Sequence, residues 1–459
     1  MTHLIKKIFL THVILSFLCL DIGANPIKII KCPNSKVNFW YIHQPSLPLI
    51  RLSLIFKIKM VEEPVQGLCE AIKRTLFLSA GDLNEKEFSE QIEKLSGSIS
   101  LFTSNESFNF TIQAHCDDLE DLLNLLALCI TDSNFGNEHF ERILDIAAKA
   151  TASSLNYPGG LLRIYSKKHL FKEHIFSKTI DIVKHNKNAI TQDLCQEFMA
   201  TRVGRDNIII GAIGAIPPDE LTNILDHFLS ALPETTLHSS FPPIVLNLKK
   251  EIHLIRRKQP QSVCRFMQLG LPNNHPDYVP FKVLQQIIGS GDFQSILMKE
   301  LRSDTGLVYS ISLTDIECPQ KNKILQGDYN TENHKFPETY KLIMDVWHNL
   351  KINGPKEEEF NNAKNNYIGS LTLEDENNYL CNAEELSHLQ FLDFTSDRYK
   401  YIHKELPRVT YEDVKRVAQL YLTPDHLIFF VEGDPPQCES INYIETSAED
   451  FIETFLNAP

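Results

Sequence analysis

The stretch TQDLCQEFMATRVGRDNIIIGAIGAIPP, residues 191–218, returns in other letters as TYEDVKRVAQLYLTPDHLIFFVEGDPP, residues 410–436. Each copy opens on a threonine able to cap a helix, Thr191 or Thr410, with an acid two residues on, Asp193 or Glu412. An amphipathic run follows, then a polar turn ending in Asp206-Asn207 or Asp425-His426. Each copy then has an apolar strand, a glycine and a Pro-Pro turn. Any helix followed by any strand could match by chance. The shared order and the shared Pro-Pro favour a duplicated unit, and so two α+β domains of similar build.

The pattern between these anchors alternates in the same way. RLSLIFKIKM sets Leu52, Leu54, Phe56, Ile58 and Met60 on one face with the two-residue period of a strand. SFNFTIQAHC does so with Phe108, Phe110, Ile112 and Ala114. LEDLLNLLALCI spaces Leu119, Leu122, Leu123, Leu126 and Ile130 as one face of a helix. NIIIGAIGAI is apolar throughout, which suits a strand buried on both faces. LPETTLHSSFPPIVLN is polar and proline-containing and reads as the connection. The expected organisation is a leader over 1–24, a first domain over 25–235, a linker over 236–250 and a second domain over 251–459.

The chain has 459 residues, 43% hydrophobic and 23% charged, a globular composition long enough for large cores. Its formal charge of -14 argues against a nucleic-acid binder, which needs a basic stripe to neutralise phosphates. At the start, Lys6 and Lys7 precede an apolar run, Ile8 to Leu20, too short for a comfortable membrane span. Ile22-Gly23-Ala24 then offers a small-residue cleavage site. This is a secretory signal pattern, with a retained anchor as the alternative. The ten cysteines are irregularly spaced and form no C-x-x-C pair, so no zinc ribbon or thioredoxin-type site is expected.

A peptidase zinc site on a helix needs ligands one turn apart and a glutamate to activate the bound water. Its inverted form is H-x-x-E-H. GLCEAIKRTLF, residues 67–77, resembles that helix as it occurs in the pitrilysin or insulinase-like metallopeptidases, the group that includes mitochondrial processing peptidase. The frame survives at Gly67, Leu68, Leu76 and Phe77. Glu70 stands for the first histidine, Lys73 for the general-base glutamate and Arg74 for the second histidine. EKEFSEQIEKLSGSISLFTSNESFNFTIQA is similar to the family's substrate-strand segment, with Ser100 and Leu101 where the family has Asn and Ala. FERILDIAAKA resembles the helix that supplies a third ligand, a glutamate, and residues 147–150 contain no acid. Two unit charges 4 Å apart in water interact by about 1 kcal/mol, and each cation beside a dication is repelled by more, the more so in a drier site. Glu70 is therefore expected to pair with Lys73 or Arg74 along the helix, and no metal is expected there. His169 and His174 fall on different helix faces, and the histidines are read as surface or core residues.

The second half keeps more of the resemblance. QSVCRFMQLGLPNNHPDYVPFKVLQQIIGSGDFQSILMKELRSDTGLVYSISL is similar to the family's C-terminal domain throughout. Gly289-Ser290-Gly291 reads as a tight turn before the helix FQSILMKELRSD, since neither a phosphate loop nor a dinucleotide fingerprint follows. Arg302 and Tyr309 match a family pair implicated in gripping substrate and stabilising the transition state. A helix-end arginine and a half-buried strand tyrosine would be the ordinary alternative.

The resemblance implies two homologous α+β domains, each a mainly antiparallel sheet covered by helices, arranged as one half of the family's clam. It implies a short bacterial member that is not a peptidase by itself. The expected partner is a subunit of similar size carrying H-x-x-E-H and the zinc, with this chain binding no cofactor. Arg302 and Tyr309 would act on a peptide or unfolded-protein substrate at the partner's zinc. The expected location is the periplasm. Two alternatives stay open: an inert peptide-binding or scaffold protein, and an independent enzyme using Glu70 and Lys73 as acid and base.

Overall fold

A computed structural model describes residues 26–58, 63–104, 106–136, 139–172, 174–178, 181–237, 243–318, 322–377 and 382–457. The leader 1–24, Met60 and part of the linker lie outside the described residues. The first half contributes β1 (Lys28–Lys31), β2 (Asn38–His43), β3 (Leu49–Lys57), α1 (Leu68–Thr75), α2 (Glu85–Lys94), β4 (Gly97–Thr103) and β5 (Ser107–His115). It continues with α3 (Leu119–Asp132), α4 (Phe140–Ser154), α5 (Gly160–Phe171), α6 (Gln192–Arg202), β6 (Ile208–Gly214) and α7 (Pro218–Ala231). The second half holds β7 (Ile252–Arg256), β8 (Gln261–Leu269), α8 (Tyr278–Gln285), β9 (Val308–Cys318), β10 (Asn322–Glu332) and α9 (Phe336–Asn353). It ends with α10 (Glu357–Asn377), α11 (Asn382–Phe391), α12 (Tyr411–Tyr421), β11 (Ile428–Gly433), β12 (Tyr443–Ser447) and α13 (Ala448–Asn457).

Two six-stranded sheets form, ordered β1-β2-β6-β3-β5-β4 and β12-β7-β11-β8-β10-β9. Five strands correspond one for one: β2, β6, β3, β5, β4 with β7, β11, β8, β10, β9. In both sheets the last three of these pairings are antiparallel, and β2–β6 and β7–β11 are parallel. The α+β duplication expected from residues 191–218 and 410–436 is therefore present. Thr191 accepts the amide of Leu194 and Thr410 that of Asp413, both at 3.2 Å, so the two threonines cap α6 and α12. The sixth strand differs: β1 precedes β2 and runs antiparallel to it, whereas β12 lies parallel to β7.

One face of each sheet carries its own half's main core, and the other receives a helix from the opposite half. On the first sheet Leu52, Leu54 and Phe56 meet Leu68, Ile72 and Leu126. The opposite face, through Trp40, Ile42 and Ile213, packs on Ala383 and Leu386 of α11. On the second sheet Met267, Ile428 and Phe430 pack on Leu162, Leu170 and Phe171 of α5. The exchange makes β3 buried on both faces, although its sequence shows one apolar face. The second face is polar but paired: Ser53 Oγ lies 2.6 Å from Ser387 Oγ, and Arg51 Nε donates to Glu384 at 2.9 Å.

The close approach of α11 depends on one glycine. A Cβ on Gly211 of β6 would stand 2.3 Å from the Ala383 carbonyl oxygen and 2.7 Å from the Ser387 nitrogen, both backbone atoms. Neither can rotate away, so a side chain there must push the helix off the sheet. Gly211→Ala is expected to destabilise the chain by about 1–3 kcal/mol, the usual cost of overpacking. A urea midpoint unchanged from the parent would show that α11 can shift freely.

Gln286–Ser290 continues α8 as a π-helical turn, rather than the tight turn expected from Gly289-Ser290-Gly291. Gly291 is needed because a Cβ would lie 2.4 Å from the Gln286 carbonyl oxygen. The next helix is shorter than expected: Ile296–Met298 winds as α-helix and Lys299–Ser303 as a second π turn. The eight described cysteines are free, most of them buried. Among the described residues no helix is long and apolar enough to cross a membrane.

Candidate functional site

Helix α1 starts from Gly67, whose φ of 93° is a left-handed conformation that favours glycine. The first amides need an acceptor, and Glu63 supplies it. Its carboxylate accepts from Gly67 at 2.6 Å, Leu68 at 3.1 Å and Cys69 at 3.3 Å. Burial pushes the Glu63 carboxyl up to about 7, against the pull of these N–H donors. The helix packs against β4, α4 and α6. It therefore lies beside the edge strand of the first sheet and beside the helix expected to supply a third ligand.

The positions that the resemblance assigns to the zinc ligands and base form a closed ion-pair triad. Glu70 is 7% exposed and receives Lys73 Nζ at 2.7 Å and Arg74 Nε at 2.7 Å. Both the i,i+3 and the i,i+4 partner are engaged, so neither carboxylate oxygen is left for a cation. On α4, Ala147 and Ala148 are buried at the third-ligand region, and the nearby Asp145 is held by Lys187 at 2.5 Å. The residues present do not fit a zinc ion. Nor do they suit acid–base chemistry, since Glu70 faces two permanent cations and not a reacting group.

In the second half, Arg302 and Tyr309 come together. Arg302 lies in the turn Lys299–Ser303 and Tyr309 near the start of β9, the edge strand equivalent to β4. The guanidinium carbon sits 4.7 Å from the centre of the Tyr309 ring and 4.8 Å from that of Phe293. Tyr309 is 80% exposed and Phe293 64%. Each such contact is worth about 0.5–1 kcal/mol at an exposed site. Among the described residues Arg302 makes no salt bridge. A guanidinium held over aromatic rings keeps N–H donors for a carbonyl or carboxylate. Phe293 was missed at the sequence level. The available signal was an aromatic two residues after Gly289-Ser290-Gly291, too common a feature to single out.

Residues 59–194 match the family described as insulinase (peptidase family M16), and residues 189–367 match the peptidase M16 inactive domain. The chain is 21% identical to an uncharacterized zinc protease of Bacillus subtilis, over 80% of this chain and 88% of that protein. It is 20% identical to a protein of Helicobacter pylori named a non-peptidase homolog, over 81% of this chain and 85% of that one. In three dimensions it is similar to a peptidase M16 inactive domain from Pseudomonas fluorescens, with a TM-score of 0.81, 20% identity, and coverage of 91% and 100% of the two chains. The chain belongs to the pitrilysin or insulinase-like peptidase family M16 as an inactive member.

Proposed function

We propose that this chain is the non-catalytic subunit of an exported, two-chain zinc peptidase. The carrying observation is the exposed Phe293–Arg302–Tyr309 stack on a chain whose own zinc helix is closed by ion pairs. Such a stack stabilises the fold little, yet it presents a fixed phenol and a fixed guanidinium fork to solvent. Those are the donors a tetrahedral oxyanion and a substrate backbone require. In this reading a partner of similar size carries H-x-x-E-H and the zinc. Arg302 grips the substrate backbone and Tyr309 donates to the developing oxyanion. The substrate is a peptide or unfolded segment, and the compartment is a bacterial periplasm.

The test is recovery of the tagged chain from its own host under mild conditions, with mass spectrometry and a native mass of the complex. A near-stoichiometric H-x-x-E-H subunit is expected. A chain that elutes alone, or as a homodimer, points to the inert binding or scaffold protein instead.

A further inference from the structure

Helix α5 belongs to the first half in sequence but lies on the second half's sheet, and its last turn brings His169 to β7. There His169, Glu251 and His253 gather, with one ligand atom from each lying within 4.8 Å of the others. His253 Nε2 is 3.1 Å from Glu251 Oε2, and His169 Nε2 is 3.8 Å from the same oxygen. Two donors bound tetrahedrally at about 2.1 Å stand about 3.4 Å apart. The two observed spacings bracket that value, so a small side-chain rotation would bring the donors to a common ion.

The surroundings are those of a ligand site. The imidazoles are tilted at 55° with ring centres 4.0 Å apart, and both contact Phe430. His253 Nδ1 lies 3.2 Å from the Tyr165 hydroxyl oxygen, which can accept a hydrogen bond from Nδ1–H and so fix the tautomer with Nε2 free to ligate. Asn247 Nδ2 lies 2.7 Å from His169 Nε2, so a bound ion would take the place of that hydrogen bond. His253 is 3% exposed, while Glu251 and His169 reach solvent and leave a way in.

We propose that His169, Glu251 and His253 form a zinc site that clamps the exchanged helix α5 to strand β7. Two imidazoles and one carboxylate are a common ligand set for this ion. The site is separate from α1 and does not depend on a partner subunit. It revises the sequence expectation of a chain without a bound cofactor. Those histidines read as surface or core residues because the chain brings them together only through the helix exchange.

The test uses the full chain, freed of any histidine tag, stripped with a chelator and titrated with zinc or with cobalt. A single equivalent of zinc is expected, together with a raised thermal midpoint and, for cobalt, the visible absorption of a tetrahedral centre. Glu251→Gln and His169→Ala should each abolish the stoichiometric binding. Tyr165→Phe should weaken it about tenfold, as loss of a ligand's supporting hydrogen bond does. His139→Ala, at a surface His–Glu pair 3.2 Å apart, should change nothing. Circular dichroism of Glu251→Gln, a shape-conserving change at a partly exposed residue, separates loss of the site from loss of the fold. A folded parent that takes up no zinc overturns the proposal. So does zinc uptake that persists in the folded Glu251→Gln and His169→Ala variants.

Discussion

Glu432→Ala is expected to cost the fold about 3–5 kcal/mol, as breaking a buried ion pair does. Glu432 lies on β11 and is 0% exposed. Its Oε1 accepts from Arg257 at 2.7 Å, and its Oε2 accepts the amides of Gly159 at 3.1 Å and Leu162 at 3.3 Å. Those amides sit at the N-terminal end of α5, where a carboxylate also meets the positive end of the helix dipole. One side chain thus joins the exchanged helix to the second sheet and neutralises a partly buried guanidinium. Truncation leaves Arg257 without its carboxylate and two amides without an acceptor, each a desolvation cost with no compensation. Glu432→Gln should cost less, because its amide oxygen can still accept. Chemical denaturation of both variants checks this. A loss below about 1 kcal/mol for Glu432→Ala would mean that water replaces the carboxylate and that α5 is not held in this way.

In the proposed two-chain peptidase, Tyr309→Phe should lower kcat about 10²–10³-fold, the usual effect of deleting one oxyanion donor, and Arg302→Ala should lower kcat/KM, as loss of a grip on the substrate backbone does. Tyr309→Phe keeps the ring and should change stability by no more than about 0.5 kcal/mol, and Arg302→Ala, which loses two exposed cation–π contacts, by about 1–2 kcal/mol. This split separates a functional role from a structural one. Arg302→Lys should not restore the rate, since an ammonium has neither the planar fork nor a face that stacks between two rings. Phe293→Ala should act mainly on KM, by loosening the guanidinium while leaving both donors in place. Rates unchanged in Arg302→Ala and Tyr309→Phe would remove these residues from the site and favour a scaffold role for the stack.

Much of this was legible in the sequence because it is local. A capping threonine, a helical stripe and an apolar strand each act over a few residues, so residues 191–218 and 410–436 announced the duplication. The ion pairs of Glu70 were legible for the same reason: i,i+3 and i,i+4 neighbours on a helix must meet. The helix exchange was not. The face of β3 under α11 carries Arg51 and Ser53, whose partners Glu384 and Ser387 lie far along the chain. Polar residues satisfied at long range look solvent-exposed in a sequence. Phe293 and the His169–Glu251–His253 cluster were hidden likewise, since their meaning depends on what the fold brings beside them.

The most direct measurement is a mixing assay. This chain and the H-x-x-E-H subunit from the same organism are purified apart, then tested alone and together on an unfolded polypeptide, with and without chelator. Chelator-sensitive hydrolysis is predicted for the mixture alone. A mixture no faster than the H-x-x-E-H subunit would contradict the composite site. Chelator-resistant hydrolysis by this chain alone, abolished in Glu70→Gln, would instead establish an independent enzyme built on Glu70 and Lys73.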